Sequence, residues 1–172
     1  ESLGNLTGLT NLQLYNNIFV STIPTTFYGL TDLSVLRLDQ NFLTGTLSTY
    51  IGQLTNLTDL RLHNNFIESS LPKEFSLLNN LRIFTAGTNI FNGSIPNVFA
   101  GFEQLEDLDL STCFFTGPIP DTVFGNPNIV RVYLNDNALT GTIPTSFAKS
   151  PLLVDLYLDN NLLTGTIPDA ST

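Results

Sequence analysis

The stretch LVDLYLDNNLLTGTIP, residues 153–168, is the last copy of a pattern that also begins at Leu9, Leu33, Leu57, Leu81, Leu105 and Ile129. The starts are evenly spaced, always at the interval from Leu9 to Leu33, with no insertion. A fixed period of this size argues against an ordinary domain wrapped around one central core. It means a solenoid, because each unit buries its apolar face only by stacking on its neighbours. The units run 9–32, 33–56, 57–80, 81–104, 105–128 and 129–152, with a shortened one at 153–172 and the tail of an earlier one at 1–8. Residues 1–172 are therefore expected to form a single solenoid. Both ends fall inside repeats and neither carries a polar capping segment, so further chain, or a partner covering the ends, is expected. The chain has no Met, and it reads as a mature or trimmed piece.

Within each unit, apolar residues alternate first and then spread out. Leu12 and Leu14 flank Gln13, Leu36 and Leu38 flank Arg37, and Leu60 and Leu62 flank Arg61. A period of two predicts a short strand, and stacked units then make a parallel sheet with strands ~4.8 Å apart. After the strand comes a column of Asn17, Asn41, Asn65, Asn89, Cys113, Asn137 and Asn161. A buried amide there can satisfy backbone groups left free where the chain leaves the strand. Cys113 reads as a small buried thiol on one rung. A turn follows with Gly45, Gly93, Gly117, Gly141 and Gly165, where Ser21 and Ser69 replace Gly in two units. Ile-Pro or Leu-Pro then opens a short helical turn in six of the seven units. Phe27, Ile51, Phe75, Phe99, Val123 and Phe147 fill the outer core, and Leu30, Leu54, Leu78 and Phe102 close the unit. Asn126 and Ser150 interrupt that last column, which predicts looser packing late on the convex side.

The unit LxxLxLxxNxLTGxIPxxFxxLxx resembles the leucine-rich repeat, in particular the plant-type extracellular subfamily marked by its LTGxIP half. The resemblance covers the whole chain. It implies an α/β solenoid: a right-handed superhelix with a concave parallel β-sheet, a second short sheet beside the LTG segment, and 3₁₀ turns on the convex face. Relatives include ectodomains of receptor-like kinases and receptor-like proteins, polygalacturonase-inhibitor-like proteins, and algal proteins with similar repeats. The paired-Cys caps of the plant proteins are missing from this chain.

Composition removes several functional classes. The net charge is -9, which argues against nucleic acid, since that partner needs clustered Lys and Arg. No apolar run approaches the ~20 residues of a membrane span. No phosphate loop or metal-ligand spacing appears, so neither a cofactor nor a metal is expected. The one His, His63, falls near Asp39, Asp59 and Arg61 and reads as a solvated surface side chain, with no Ser or Cys nucleophile beside it. Catalysis is not expected.

The repeat register allows the surfaces to be read as columns. On the concave face one column runs Asn11, Val35, Asp59, Ile83, Asp107, Arg131, Asp155; the next runs Gln13, Arg37, Arg61, Thr85, Asp109, Tyr133, Tyr157. A third holds Tyr15, Asp39, His63, Gly87, Ser111, Asn135 and Asp159. The late half thus gathers Asp107, Asp109, Asp136, Asp155 and Asp159 around Tyr133 and Tyr157. Aromatic anchors within charge of one sign suit a basic peptide or protein. The competing reading is a solvated face on which Arg131 merely bridges Asp107 and Asp155. Calcium is a third reading of the carboxylates, against which stands the lack of a compact ligand loop.

Along one flank lie Ile18, Phe42, Phe66, Ile90, Phe114, Ala138 and Leu162. They either fold over the second sheet and bury themselves, the reading preferred from sequence, or dock laterally on a partner or larger complex. Beside them run hydroxyl ranks, Thr22, Thr46, Ser70, Ser94, Thr142 and Thr166, with Pro118 interrupting. Thr ranks at strand spacing resemble the faces of ice-binding proteins. Asn5, Asn56 and Asn92 open glycosylation sequons. These readings converge on an extracellular, non-catalytic module that binds a protein or peptide. A structural or assembly subunit is the alternative, and an ice-binding protein a more distant one.

Overall fold

The computed structural model describes residues 3–169. The outermost residues of the expected span, at 1–2 and 170–172, lie outside the described residues. Seven three-residue strands, from Asn11–Gln13 to Asp155–Tyr157, form one parallel sheet in chain order. Their partners stand one full repeat apart: Asn11 pairs with Val35, Asp59 with Ile83, Tyr133 with Tyr157. The middle residue of each strand points inward. Leu12, Leu36, Leu60, Phe84, Leu108 and Val132 are all buried.

Behind the strands, the Asn column works as a hydrogen-bond ladder. The Asn65 side chain accepts from the Leu43 amide at 2.9 Å and donates to the Leu38 and Leu62 carbonyls at 3.0 Å each. Asn41 and Asn89 repeat the arrangement. Each amide thus ties neighbouring units together by satisfying backbone groups that are buried away from water. Cys113 takes its rung with a weaker contact, Sγ to the Ala86 carbonyl at 3.7 Å, and burial pushes its thiol up to about 11.

The convex side is a row of 3₁₀ turns, among them Thr25–Gly29, Thr49–Gln53 and Thr145–Lys149. Pro24, Pro72, Pro120 and Pro144 precede these turns with φ near the value the ring enforces. The unit without Pro uses Ser48, whose side chain accepts from the Tyr50 amide at 3.2 Å. The expected loosening is absent at Asn126 and appears only in the last full unit, where Phe147 is partly buried while Phe27, Ile51, Phe75, Phe99 and Val123 are buried. Asn126 is buried and donates to the Phe102 and Leu105 carbonyls, Ser150 donates to the Phe124 carbonyl, and Phe124 is itself fully buried. Polar side chains hold this corner by bonding the preceding unit.

The flank beside the main sheet carries a second sheet in two pieces. One pairs Val20–Thr22 with Phe42–Thr44; the other joins Asn92–Ser94, Phe114–Pro118 and Ala138–Thr140. The gap falls in the unit where Ser69 stands for Gly. Ser69 does not take positive φ, whereas Ser21 adopts φ 79° like the glycines. Backbone bonds still cross the gap, from Glu68 to Gly45 and from Asn92 to Ser69. Here the partners fall two short of a full repeat: Val20 with Phe42, Asn92 with Phe114, Thr116 with Ala138. Equivalent residues therefore slip by two along the strand, ~6.6 Å, at each rung. This corrects the expectation of Thr ranks at strand spacing. Thr22 lies instead beside Thr44 of the next unit, Ser94 beside Thr116 and Thr116 beside Ala138.

The flank also overturns the expectation of burial. Ile18 is 83% exposed, Phe42 49%, Phe66 50%, Phe114 61% and Leu162 61%; only Ile90 and Ala138 are intermediate. Alternation explains the outcome. Leu43, Ile67, Phe91, Phe115 and Leu139, one residue further on, turn inward and fill the core, which leaves their neighbours facing solvent.

Candidate functional site

The concave face consists of the first and third residues of each strand and the residues just beyond. The parallel register turns these into rows of neighbours about 4.8 Å apart. In the early half each Arg is matched by a carboxylate on its own strand or just past it. Arg37 donates to Asp39 from Nε at 3.2 Å and Nη2 at 3.0 Å, and Arg61 to Asp59 at 2.8 and 3.0 Å. The hydrogen bond to Asp59 is the main cause that raises the Arg61 pKa. Arg37 also lies 3.9 Å from the centre of the Tyr15 ring.

His63 is not the solvated side chain expected from sequence. Its Nε2 is 3.5 Å from the fully buried Asp39 carboxylate, and its Nδ1 is 2.9 Å from the Thr85 hydroxyl. Thr85 stands on the next strand, diagonally across the sheet, so a reading along the repeat columns missed it. A hydroxyl against an imidazole that faces a carboxylate has the connectivity of a nucleophile relay. The Ala86 amide bonds Asp109, and the Leu62 amide bonds Thr85. Neither is free to stabilise an oxyanion.

The late half is organised differently. Arg131 pairs with Asp107 only, an interaction that raises the Arg131 pKa. Asp155 accepts instead from the Tyr133 hydroxyl at 3.2 Å. Arg131 therefore does not bridge the two carboxylates. Tyr133 and Tyr157 meet edge to face at 5.0 Å, and burial together with the Asp155 charge pushes the Tyr133 phenol up. The Asp109 carboxylate accepts from the Ser111 amide at 2.9 Å and hydroxyl at 2.6 Å. It leans over Gly87, where a Cβ would stand 2.6 Å from Oδ1. Gly87 is thus the space that Asp109 occupies, a role its column position alone did not disclose. Asp159 is exposed beside Tyr157. Asp136 serves the turn, accepting from Asn135 and Asn160 at 2.7 Å each. Arg37, Arg61 and Arg131 are consumed by Asp39, Asp59 and Asp107. Asp109, Asp155 and Asp159 form no salt bridge among the described residues, although the Asp155 charge acts on Arg131.

The sequons separate cleanly. Asn5 is exposed in the Leu3–Asn5 turn. Asn56 and Thr58 are both engaged with the previous unit, donating to the Thr31 and Ser34 carbonyls at 3.0 Å each. Asn92 and Ser94 are exposed on the flank sheet.

The leucine-rich-repeat family model matches residues 56–78, 104–126, 128–150 and 152–171, together just over half of the chain. The chain belongs to the leucine-rich-repeat family. Comparison with curated protein sequences gives no match. Among solved structures, this leucine-rich-repeat solenoid is similar to the Arabidopsis receptor kinase HAESA in complex with the peptide hormone IDA and the co-receptor SERK1. Identity is 32%, the TM-score 0.91, and the match covers 96% of this chain and 28% of that one. It is similar also to the plant peptide hormone receptor RGFR1 in complex with RGF2, at 27% identity and TM-score 0.79, covering 96% and 31%. A plant ice-binding protein matches at 25% identity and TM-score 0.69, covering 97% and 69%. The leucine-rich-repeat chain thus spans less than a third of the length of the two receptor structures.

Proposed function

We propose that this leucine-rich-repeat chain is a non-catalytic recognition module, extracellular like the receptor ectodomains it resembles, that binds a basic peptide on the late half of its concave face. The observation that carries this reading is the set of carboxylates at Asp109, Asp155 and Asp159, which form no salt bridge among the described residues and surround the Tyr133–Tyr157 pair. The tyrosines supply rigid contact area, and the carboxylates attract Lys or Arg side chains. An extended peptide crossing the rungs meets this pair at neighbouring positions. Similarity to receptors solved with peptide hormones supports the same reading.

The test is a display library of random twelve-residue peptides selected on the purified chain. Selected peptides are expected to be enriched in Lys and Arg, and to lose at least about tenfold in affinity against Asp109→Asn with Asp155→Asn, or against Tyr157→Ala. Binders without basic residues, or binders indifferent to all three changes, would sink the assignment.

The similarity to a plant ice-binding protein favours a second reading, in which the flank hydroxyls order water. The two-residue slip at each rung works against it, because equivalent hydroxyls stand further apart than strand spacing. Ice crystals grown with the protein decide the matter: shaping lost in Thr46, Thr142 and Thr166 variants would establish it, and unshaped crystals would remove it.

A further inference from the structure

We propose that Asn92 is an N-glycan acceptor and that its first sugar lies over the Phe114 ring, so that the exposed apolar flank around Phe114 is covered by the chain's own carbohydrate. The inference rests on the extracellular reading above. Its structural basis is separate from the concave face.

Three observations carry it. The first is availability. Asn92, Gly93 and Ser94 form a strand whose residues are all exposed. Neither the Asn92 side-chain amide nor the Ser94 hydroxyl is engaged in a hydrogen bond among the described residues. Asn56 differs, because its presence has a structural explanation. Asn80 and Asn128, which open no sequon, make the same bond to the Thr55 and Glu103 carbonyls, at 2.9 and 2.7 Å. Asn at this point of the repeat is a tie between units, and Thr58 is bonded as well.

The second is the register. Asn92 pairs directly with Phe114, so the two side chains project from adjacent strands on the same side. Ile90 precedes Asn92 by two residues on that side. A sugar attached at Asn92 emerges beside an aromatic ring that is 61% exposed. The axial C–H groups of a pyranose carry partial positive charge and suit the negative face of such a ring.

The third is the character of the flank. At roughly 200 Å² for a fully exposed large side chain, Ile18, Phe42, Phe66, Phe114 and Leu162 leave on the order of 600 Å² of apolar surface to water. That is the upper end of what a monomer usually shows. Glu68 is the one charged residue among the outward positions of this sheet. A neutral, amphipathic cover fits this surface better than a charged partner does.

The chain is secreted from insect cells behind a supplied leader, and each sequon is read by peptide mapping with enzymatic release of the glycan. Sugar is expected at Asn92 and is lost in Asn92→Gln and in Ser94→Ala. Removing the glycan from the folded protein is expected to raise the fluorescence of a hydrophobic dye about twofold. Phe114→Ser is expected to abolish that difference, and Phe114→Leu serves if the Ser variant is not secreted. A bare Asn92 with sugar at Asn5 or Asn56 overturns the acceptor assignment. An occupied Asn92 whose glycan changes dye binding equally with and without Phe114 overturns the cover. A supplied leader makes the acceptor test independent of where the chain natively resides. Protein from its natural source that lacks sugar, although Asn92 is modified in insect cells, counts against the extracellular reading and leaves the acceptor chemistry standing.

Discussion

Replacing Asn65 by Ala tests the ladder that joins the units. Asn65 sits in the middle of the solenoid, is 5% exposed, and bonds Leu43 and Leu38 of the preceding unit as well as Leu62 of its own. The Leu43 amide has Asn65 as its acceptor, so truncation strands a buried N–H. That costs about 1–3 kcal/mol. The two carbonyls suffer less, because each has a second donor: Leu38 accepts also from Asn41, and Leu62 also from Asn89. Losing one of two bonds at each adds about 0.5–1 kcal/mol apiece. The expected loss is about 3 kcal/mol. Asn17→Ala is the internal control. Asn17 is exposed and donates only to Leu14 and Tyr15, so its loss should cost less than about 1 kcal/mol. Equilibrium unfolding in urea measures both, provided the denaturant slope is unchanged. Equal effects at the two positions, or a loss at Asn65 below about 1 kcal/mol, would show that the column does not hold the units together in this way.

Three further outcomes follow from the same structure. The Cys113 thiol is held up to about 11, so the folded state keeps its proton where the unfolded state, near the ordinary value of 9.0, gives it up. Between those values the folded state binds more protons, and stability falls as pH rises, by up to about 3 kcal/mol relative to Cys113→Ser; below pH 9 the two proteins should differ by a constant amount, and native Cys113 should resist thiol reagents. Ser21 holds φ 79° and Ser69 does not, so Ser21→Gly should raise stability by about 1 kcal/mol while Ser69→Gly should lower it, with denaturant midpoints as the measure. Phe66→Ser on the exposed flank should cost less than about 1.5 kcal/mol, most of it the stacking on Phe42 at 6.1 Å, whereas Phe115→Ala in the core should cost about 3–5 kcal/mol. Similar losses for the two would mean that the flank is buried after all.

The concave and flank faces suit different kinds of partner. On the concave face, nearly every charged group is placed by a neighbour, Asp109 by Ser111 and Gly87, Asp155 by Tyr133. Such groups lose little freedom when a ligand arrives, and that lowers the entropic cost of binding. On the flank the side chains are apolar and mostly unpaired, the Phe42–Phe66 stack excepted.

The sequence by itself determined the unit, the parallel sheet and the composition of its concave columns. A constant period without insertions makes Asp107 the neighbour of Arg131 on spacing alone, and alternation decides which side chains turn inward. The buried amide ladder was legible for the same reason: its partners lie at fixed offsets. Tertiary structure decided what depends on the transformation from one unit to the next. Neighbours on the main sheet are a full repeat apart, as Val35 is from Asp59, and those on the flank fall short of it, as Val20 does with Phe42. Units that stack squarely at the strands are displaced relative to one another farther out. No local pattern encodes that displacement. It placed Asn92 beside Phe114. Thr85 reached His63, Asn126 reached the Phe102 carbonyl, and Asp155 took the Tyr133 hydroxyl in place of Arg131. In these cases side-chain reach across a boundary, and not position within the repeat, selected the contact.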